Sequence, residues 1–242
     1  MTRDGFATLV LTSCNRPAFL QETLQSILTS DLTGIARIIV IEDSVSPHIK
    51  PLIDEQLGGA PVPYSFLQND KNRGQIYSVD RAYAQVDTPY VYHCEDDWVF
   101  PQGLRLAESR MVLDDDPDIT AILGRNLKKY PRKRIMRRGN KPVIFHAGSA
   151  AYVKFDLTFS DDWGGFSFNP GLRRMADYHA LGGYGHIGPE VEISKHYRRL
   201  GKHTAFLLGG EVTHIGTKHT VKRDENDFAR HGKLPQVFGA GN

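Results

Sequence analysis

The feature that most constrains the fold is an alternation of apolar runs and helical segments over the first hundred residues. The apolar runs are short and rich in β-forming residues, which predicts strands, and the segments between them carry apolar residues at helical spacing. Consecutive strands separated by helices predict a mostly parallel sheet with helices on both faces. Strands are predicted at 7–11, 37–41, 62–67 and 89–92, with helices around 20–28, 49–57 and 76–86.

Chain length and composition indicate a globular α/β protein. The 242 residues suit one large domain, and with no repeat or clear linker we expect a single domain, with residues 1–100 as one half and 101–242 as the other. The net charge of +2 favours no particular partner. No run approaches the roughly 20 apolar residues of a membrane span. The N-terminus lacks the apolar segment of a secretory signal, so we expect a cytoplasmic location.

Three consecutive carboxylates follow the fourth predicted strand. Glu95, Asp96 and Asp97 lie between the apolar runs 89–92 and 98–100. Desolvating a charge is costly, so carboxylates between buried segments need cations, solvent or a metal. The alternative is a solvated acidic turn, but the apolar flanks favour a site where a divalent cation holds phosphate oxygens.

Polar groups also follow the other predicted strands. In an open α/β sheet the ligand crevice lies at the carboxyl ends of the strands, so these groups are expected to meet there. Four groups on one edge make a binding site more plausible than unrelated loops. They are Thr12, Ser13, Asn15 and Arg16 after the first strand, Glu42 and Asp43 after the second, Asn69, Arg73 and Gly74 after the third, and the carboxylates after the fourth.

Missing motifs narrow the choice of ligand. The three-glycine dinucleotide fingerprint and the phosphate loop ending in Gly-Lys-Ser/Thr are both absent, which argues against a nicotinamide dehydrogenase and a P-loop ATPase. Two cysteines, Cys14 and Cys94, are too few for a disulfide framework, and we expect buried, reduced thiols. No paired-histidine or clustered-cysteine pattern indicates zinc. Carboxylates together with a metal remain as the means of holding a diphosphate.

The second half has a weaker pattern. Asn169-Pro170 predicts the start of a helix containing Leu172 and Met175, and Pro189-Glu190 predicts the start of another. The run 128–138 holds seven basic residues. A solvated loop is the favoured interpretation of that run, and contact with an anionic acceptor, a lipid head group or nucleic acid is the alternative.

With these residues in place, the chain resembles a family 2-type glycosyltransferase of the GT-A fold. Residues 9–17 resemble the family's first strand and nucleotide-contacting loop, and 39–44 resemble its second strand with a terminal acid that holds base or ribose. Asn69 with 72–74 resembles the Asn-x-Gly segment. Glu95-Asp96-Asp97 stands where the family carries an Asp-x-Asp metal motif, with Glu in the first position. The resemblance implies Asp97 as the metal ligand, with Glu95 beside it and Asp96 contacting ribose.

In the second half the resemblance covers residues 160–216 in pieces. Aligned by the downstream Arg-Arg-x-Gly, Glu190 takes the place of the family's catalytic base, and Glu192 is the fallback. His214 resembles the late histidine that completes the metal site in many GT-A enzymes, with His219 as a competitor. Stacking on sugar faces would suit the aromatic residues of the intervening loop, although their alternative role is core packing. These acceptor-binding candidates are Trp163, Phe166 and Phe168.

The resemblance implies a metal-dependent, inverting glycosyltransferase that uses Mn²⁺ or Mg²⁺, a nucleotide-diphospho-sugar donor and a glycan or other hydroxyl acceptor. We expect no nucleic-acid partner and no transmembrane segment. Peripheral contact with a membrane through the basic run 128–138 stays an alternative. Two alternatives stay open. A sugar-phosphate nucleotidyltransferase shares the fold type but typically begins with a Gly-rich basic loop, and a non-catalytic protein would hold nucleotide-sugar or glycan without turnover.

Overall fold

A computed structural model of the chain describes residues 5–124, 143–155 and 164–216. Strands and helices alternate through the first half, as the sequence pattern predicts. The strands are β1 (Ala7–Ser13), β2 (Ile35–Glu42), β3 (Tyr64–Gln68), β4 (Tyr90–Glu95), β5 (Trp98–Val99), β6 (Ile119–Leu123), β7 (Phe145–Ala147), β8 (Ala150–Lys154), β9 (Gly171–Arg174), β10 (His203–Leu207) and β11 (Thr213–His214). The helices are α1 (Pro17–Leu28), α2 (Ile49–Leu57), α3 (Gln75–Tyr83), α4 (Leu106–Asp115), α5 (Met175–Ala180) and α6 (Glu190–Arg199).

Nine strands of the described residues form one sheet that joins both halves of the chain, in the order β3-β2-β1-β4-β9-β6-β10-β8-β7. The first four strands are parallel neighbours, and β6 is parallel to β10. Strand β9 is antiparallel to both β4 and β6, and β8 is antiparallel to β10 and β7. All strands of this sheet except β9 and β8 therefore point the same way, which confirms the predicted mostly parallel α/β sheet.

Helices cover both faces because the side chains of each strand alternate between two cores. On β1, Leu9 and Leu11 face the core under α1, α2 and α4, whereas Val10 faces the core under α3, α5 and α6. On β2, Ile38 and Ile39 divide in the same way. Strands buried on both faces read as continuous apolar runs, which explains why their sequences do not alternate.

The expected helix from Asn169-Pro170 is wrong at its start. Residues 171–174 form β9, which inserts between β4 and β6, and the helix begins only at Met175. A Cβ on Gly171 would lie 2.1 Å from the carbonyl oxygen of Ile122, so glycine allows this close approach of strands. Pairing on both sides of β9 thus overrides a helix-start signal that is local.

A small second sheet completes the architecture near the acidic cluster. Strand β5 pairs antiparallel with β11, with Val99 opposite Thr213 and Trp98 opposite His214. This pairing brings the end of the described chain back to the residues that directly follow the carboxylates. Among the helices of residues 5–124, 143–155 and 164–216, none has the length and apolar character needed to cross a bilayer.

Candidate active site

The parallel register places the polar strand ends side by side. Thr12 on β1 is the partner of Glu95 on β4, and Ser13 is the partner of Glu42 on β2. The backbone N–H of Asp43 then donates to the carbonyl of Ser13, and the N–H of Asn69 donates to the carbonyl of Glu42. Four loops that are distant in sequence therefore share one edge of the sheet, as predicted.

Asp96 is buried and surrounded by donors from the loop after β1. Its Oδ2 accepts hydrogen bonds from Ser13 Oγ at 2.9 Å, the Cys14 backbone N–H at 3.3 Å and Arg16 Nε at 3.2 Å. A second guanidinium nitrogen of Arg16 pairs with Oδ1. Burial raises the pKa of Asp96 to about 6, against the opposing effect of Arg16.

Asp97 contacts one side chain from the first helix region and one from the last described strand. Its Oδ2 lies 2.8 Å from Arg16 Nη1 and 3.1 Å from His214 Nε2. The ring of His214 stacks on Trp98 with centroids 4.6 Å apart, and the Ile215 N–H donates to the Asp97 carbonyl at 2.9 Å. Gly216 packs so closely that a Cβ there would lie 2.2 Å from Asp97 Oδ2. The structure thus brings together Asp97 and His214, two of the three side chains predicted as metal ligands.

Glu95 belongs to the same cluster but has other partners. Gln75 Nε2 donates to its Oε1 at 2.8 Å, and the Trp98 indole N–H lies 3.4 Å from its Oε2. Burial, and after it the negative charges of Asp97, Glu190 and Asp96, raise the pKa of Glu95 to about 8. Its part in metal binding stays a prediction.

Asp43 organises the loop between β3 and α3. Its Oδ1 accepts from Asn69 Nδ2 at 2.7 Å and from the Arg73 N–H at 2.6 Å, and its Oδ2 accepts from the Gly74 N–H at 2.7 Å. Gly74 has φ of +92°, a conformation that favours glycine, and it directly precedes α3. Three of the predicted nucleotide-binding residues are therefore held by a fourth, Asp43. The side chain of Arg73 pairs with Asp70.

Glu42 is fully buried and only partly satisfied. Its Oε1 accepts from the Asn15 N–H at 2.7 Å and from the Ser44 hydroxyl. Its Oε2 has no hydrogen-bond partner among the described residues. Asn15 adopts φ of +51°, a left-handed conformation in which its N–H turns toward this carboxylate. Glu42 Oε2 is thus a buried acceptor, beside the loop after β1, that lacks a donor among the described residues.

Glu190 opens α6 and reaches the same edge from the second half of the chain. Its Oε2 accepts the backbone N–H of Phe168 at 2.7 Å. Its negative charge contributes to raising the pKa of Glu95. Glu192 lies two residues further along the helix and forms an ion pair with Lys195 at 2.9 Å. Glu190 therefore influences the acidic cluster electrostatically, and the choice between the two bases stays a prediction.

The aromatic candidates for acceptor binding differ from expectation. Phe166 is 1% exposed and Phe168 is 0% exposed, and both pack in the core beneath α3, α5 and α6. The expectation that these rings stack on sugar faces is wrong, because apolar packing buries them fully. Trp163, His219 and the basic run 128–138 lie outside the described residues.

Asp97 and His214 fit a divalent cation as a pair of ligands. In an octahedral site with ligands at about 2.1 Å, neighbouring ligand atoms lie roughly 3 Å apart, and Asp97 Oδ2 and His214 Nε2 are 3.1 Å apart. Across the described ranges there is no cluster of three or more ligating side chains. The pair fits the kind of site in which phosphate oxygens and water complete the coordination.

Sequence reasoning missed several supporting side chains. Thr23, buried in α1, donates to the Asp96 carbonyl at 2.8 Å and accepts the Trp98 N–H at 3.1 Å. Ser194 in α6 accepts the N–H groups of Gly164 and Phe166, each at 3.1 Å. One sign of both roles was present in the sequence: each hydroxyl residue lies among the apolar residues on the buried face of its helix. Cys94 is buried as expected, whereas Cys14 is partly exposed, and burial raises the pKa of its thiol to about 11.

Comparison with known proteins adds a family and a fold. Residues 8–182 match the family described as glycosyl transferase family 2. The solved structure of the mannosyltransferase PcManGT from Pyrobaculum calidifontis in complex with GDP-Man and Mn²⁺ is 14% identical with a TM-score of 0.65, over 88% of this chain and 58% of that one. S. aureus TarS 1-349 in complex with UDP-GlcNAc is 14% identical with a TM-score of 0.62, over 93% of this chain and 63% of that one.

Both likenesses establish the fold alone at this level of identity. The chain spans about three-fifths of the length of these solved relatives. None of the curated proteins compared with the chain matches it.

Proposed function

The chain belongs to glycosyl transferase family 2, and from that premise we propose that it transfers a sugar from a nucleotide-diphospho-sugar to an acceptor hydroxyl with inversion at the anomeric carbon. The donor lies across the carboxyl ends of β1, β2 and β4, where the polar loops meet. The solved relatives hold GDP-Man and UDP-GlcNAc, and these two donors are the first candidates.

One observation carries the proposal. Glu190, a carboxylate from the second half of the chain, accepts the Phe168 N–H at 2.7 Å, and its negative charge helps to raise the pKa of Glu95 at the end of β4. An inverting displacement needs one general base on the face of the sugar opposite the leaving group. We assign this base to Glu190, which lies at the start of α6 in the second half of the chain, whereas Asp97 follows β4 in the first half.

The residues after β1, β2 and β3 support binding of the nucleoside. Glu42 Oε2 is a buried acceptor without a partner among the described residues, and a ligand N–H or O–H would satisfy it. Asp43 acts by holding Asn69, Arg73 and Gly74 in a fixed loop. This assigns Asp43 a positioning role, whereas Glu42 and the Thr12–Arg16 segment contact the ligand.

Asp97 and His214 are the residues that would hold a divalent cation, Mn²⁺ or Mg²⁺. Imidazole nitrogen as a ligand favours Mn²⁺ over Mg²⁺. When bound, the cation supplies positive charge that stabilises the departing nucleoside diphosphate. The chain's own contributions are to orient the diphosphate through the Arg16 segment and to accept the acceptor's hydroxyl proton at Glu190.

A panel of nucleotide-sugars tests the proposal directly. With Mn²⁺ present, one donor should raise the melting temperature and release nucleoside diphosphate, because a ligand at 100 times its Kd adds about 2.7 kcal/mol of stability. Asp97→Asn should abolish metal-dependent release while the protein stays folded. Binding without release across the panel and a range of acceptors would instead indicate a non-catalytic nucleotide-sugar-binding protein. No binding by any donor would contradict the proposal.

A further inference from the structure

A positively charged group of the protein, the guanidinium of Arg16, lies next to the proposed metal ligand Asp97. Arg16 places three guanidinium nitrogens on two neighbouring carboxylates. Nε lies 3.2 Å from Asp96 Oδ2, Nη2 pairs with Asp96 Oδ1, and Nη1 lies 2.8 Å from Asp97 Oδ2. The planar guanidinium therefore bridges the pair in a way that the single charge of a lysine does not reproduce.

Burial makes this bridge more than a surface contact. The side chain of Arg16 is 19% exposed, that of Asp97 is 8% exposed, and that of Asp96 is 1% exposed. Exposed ion pairs are weakened by water and salt, whereas pairs with little solvent access are screened much less. The favourable charge on Arg16 is thus needed while no other cation is present.

The Asp97 oxygen is shared between Arg16 and the proposed metal site. Oδ2 of Asp97 accepts from Arg16 Nη1 and also faces His214 Nε2. A divalent cation held by that oxygen and that imidazole would lie within a few ångströms of the guanidinium. Two like charges at such distances repel strongly, and the repulsion grows with the charge of the ion.

We propose that Arg16 is a built-in counter-ion that occupies Asp97 in the free protein, so that a divalent cation binds well only together with a nucleoside diphosphate. The diphosphate supplies the negative charge that lets Arg16 leave Asp97 while its remaining nitrogens stay on Asp96. The released Nη1 then faces the diphosphate oxygens. This inference rests on the proposed function, because it takes the Asp97–His214 pair as the cation site.

Removing the charge should separate metal binding from nucleotide binding. Arg16→Gln keeps a hydrogen-bond donor beside Asp96 but lacks the positive charge. With Mn²⁺ alone, this variant should bind the ion at least about tenfold more tightly than the wild type, because one repelling charge is gone. With saturating GDP or UDP the advantage should vanish. Direct Mn²⁺ titration, by calorimetry or by loss of the free-ion paramagnetic resonance signal, gives both values.

Two further variants make the test decisive. Arg110→Gln also removes one positive charge, but from an ion pair with Asp114 that lies on α4, and it should leave Mn²⁺ affinity unchanged. Arg16→Lys covers the case in which Arg16→Gln does not fold, as judged by circular dichroism. A lysine reaches one carboxylate rather than both, so a gain of a few-fold is expected.

The outcomes for the two hypotheses are distinguishable. If the folded Arg16 variants bind Mn²⁺ alone no more tightly than the wild type and Arg110→Gln, Arg16 is not a competing counter-ion and this inference is overturned. Failure of the wild type to bind GDP, UDP or any nucleotide-sugar would instead overturn the proposed function. A gain with Mn²⁺ alone that persists unchanged in the presence of diphosphate would also contradict the inference, because no exchange of partners would then take place.

Discussion

The two halves of the chain hold their functional carboxylates in different ways. In the first half, Asp96 and Asp43 are buried, and each accepts three or more hydrogen bonds from loops of the same half. In the second half, Glu190 lies at the first turn of α6 on the Phe168 N–H, and His214 lies on Trp98 at 33% exposure.

We infer from this difference that the carboxylates of the first half serve mainly in folding and ligand binding, and the residues of the second half mainly in the reaction. A carboxylate that accepts several internal hydrogen bonds fixes the backbone around it, so its loss costs stability as well as ligand binding. A side chain at a helix start or on a two-residue strand contributes less to stability, and its loss falls mainly on the reaction. Substitutions in the first half should therefore lower stability, and substitutions in the second half should lower activity.

The largest effect is expected at Glu190. Glu190→Gln keeps an oxygen for the Phe168 N–H but cannot accept the acceptor's proton, so kcat should fall by about 10²–10⁴-fold. The free energy of unfolding should change by less than about 1 kcal/mol. Steady-state kinetics with the donor found in the panel, together with urea unfolding, measures both quantities.

Glu192→Gln is the matched control for that substitution, since Glu192 pairs with Lys195 at the surface of the same helix. It should keep activity within a few-fold of the wild type. A larger loss at Glu192 than at Glu190 would reverse the assignment of the base.

Asp43 tests the first half from the side of stability. Asp43→Asn puts a donor where the carboxylate accepts N–H groups of Arg73 and Gly74, so the folded state should lose roughly 2–3 kcal/mol. Asp70→Asn, at an exposed ion pair with Arg73, should cost much less stability, because water and salt weaken such pairs. Urea denaturation of both variants gives the comparison, and equal losses would show that Asp43 does not organise the loop.

His93 lies between the two halves and gives a pH test. Its ring is buried, bonds Tyr83 through Nδ1 and packs on Phe168. Burial, with Arg173 nearby, lowers its pKa well below the ordinary value. The unfolded chain takes up this proton first, so the contribution of His93 to stability is present above its ordinary pKa of about 6.5 and is lost progressively as pH falls below that value toward the lowered pKa of the folded state.

His93→Gln should flatten this pH dependence between pH 7 and 5, as followed by urea unfolding at several pH values. His146→Gln, at an exposed position, is the control and should keep the wild-type slope. An unchanged slope in His93→Gln would mean that other groups cause the acid sensitivity.

The smallest effect is expected at His214. His214→Gln removes one nitrogen ligand, and Mn²⁺ affinity in the presence of nucleoside diphosphate should fall at least about tenfold, a scale known for groups that support metal sites. Stability should change little because the side chain is partly exposed. Calorimetric titration of Mn²⁺ measures the loss, and His219→Gln serves as the competing candidate. A larger loss of Mn²⁺ affinity in His219→Gln would identify His219, rather than His214, as the metal ligand.

The fold of the first half was predictable because every signal there is local. Apolar runs mark β1 to β4, and α2 spans residues 49–57 as expected. Parallel strands bring their carboxyl ends together, so the shared edge of Asp43, Asp96 and Arg16 followed from the alternation itself. What the sequence did not reveal is which partners each carboxylate has, because the hydrogen bonds of Asp43 and Asp96 join segments far apart in the chain.

The second half was harder because its structure depends on long-range pairing. Strand β9 forms between β4 and β6 although Asn169-Pro170 favours a helix start. Phe166 and Phe168 belong to the core, and an aromatic residue beside glycines gives no local sign of whether it is buried. His214 reaches Asp97 through the pairing of β5 with β11, two strands of two residues each. Such short strands have no periodicity to detect.

The configuration of the product tests the central claim most directly. With the active donor, Mn²⁺ and an acceptor, proton NMR of the first product formed reports the anomeric configuration before any later equilibration. A single displacement assisted by Glu190 predicts the configuration opposite to that of the donor. Retention of the donor's configuration would contradict the account, because Glu190 would then have no role as the base and the two halves of the site would not act on opposite faces of the sugar.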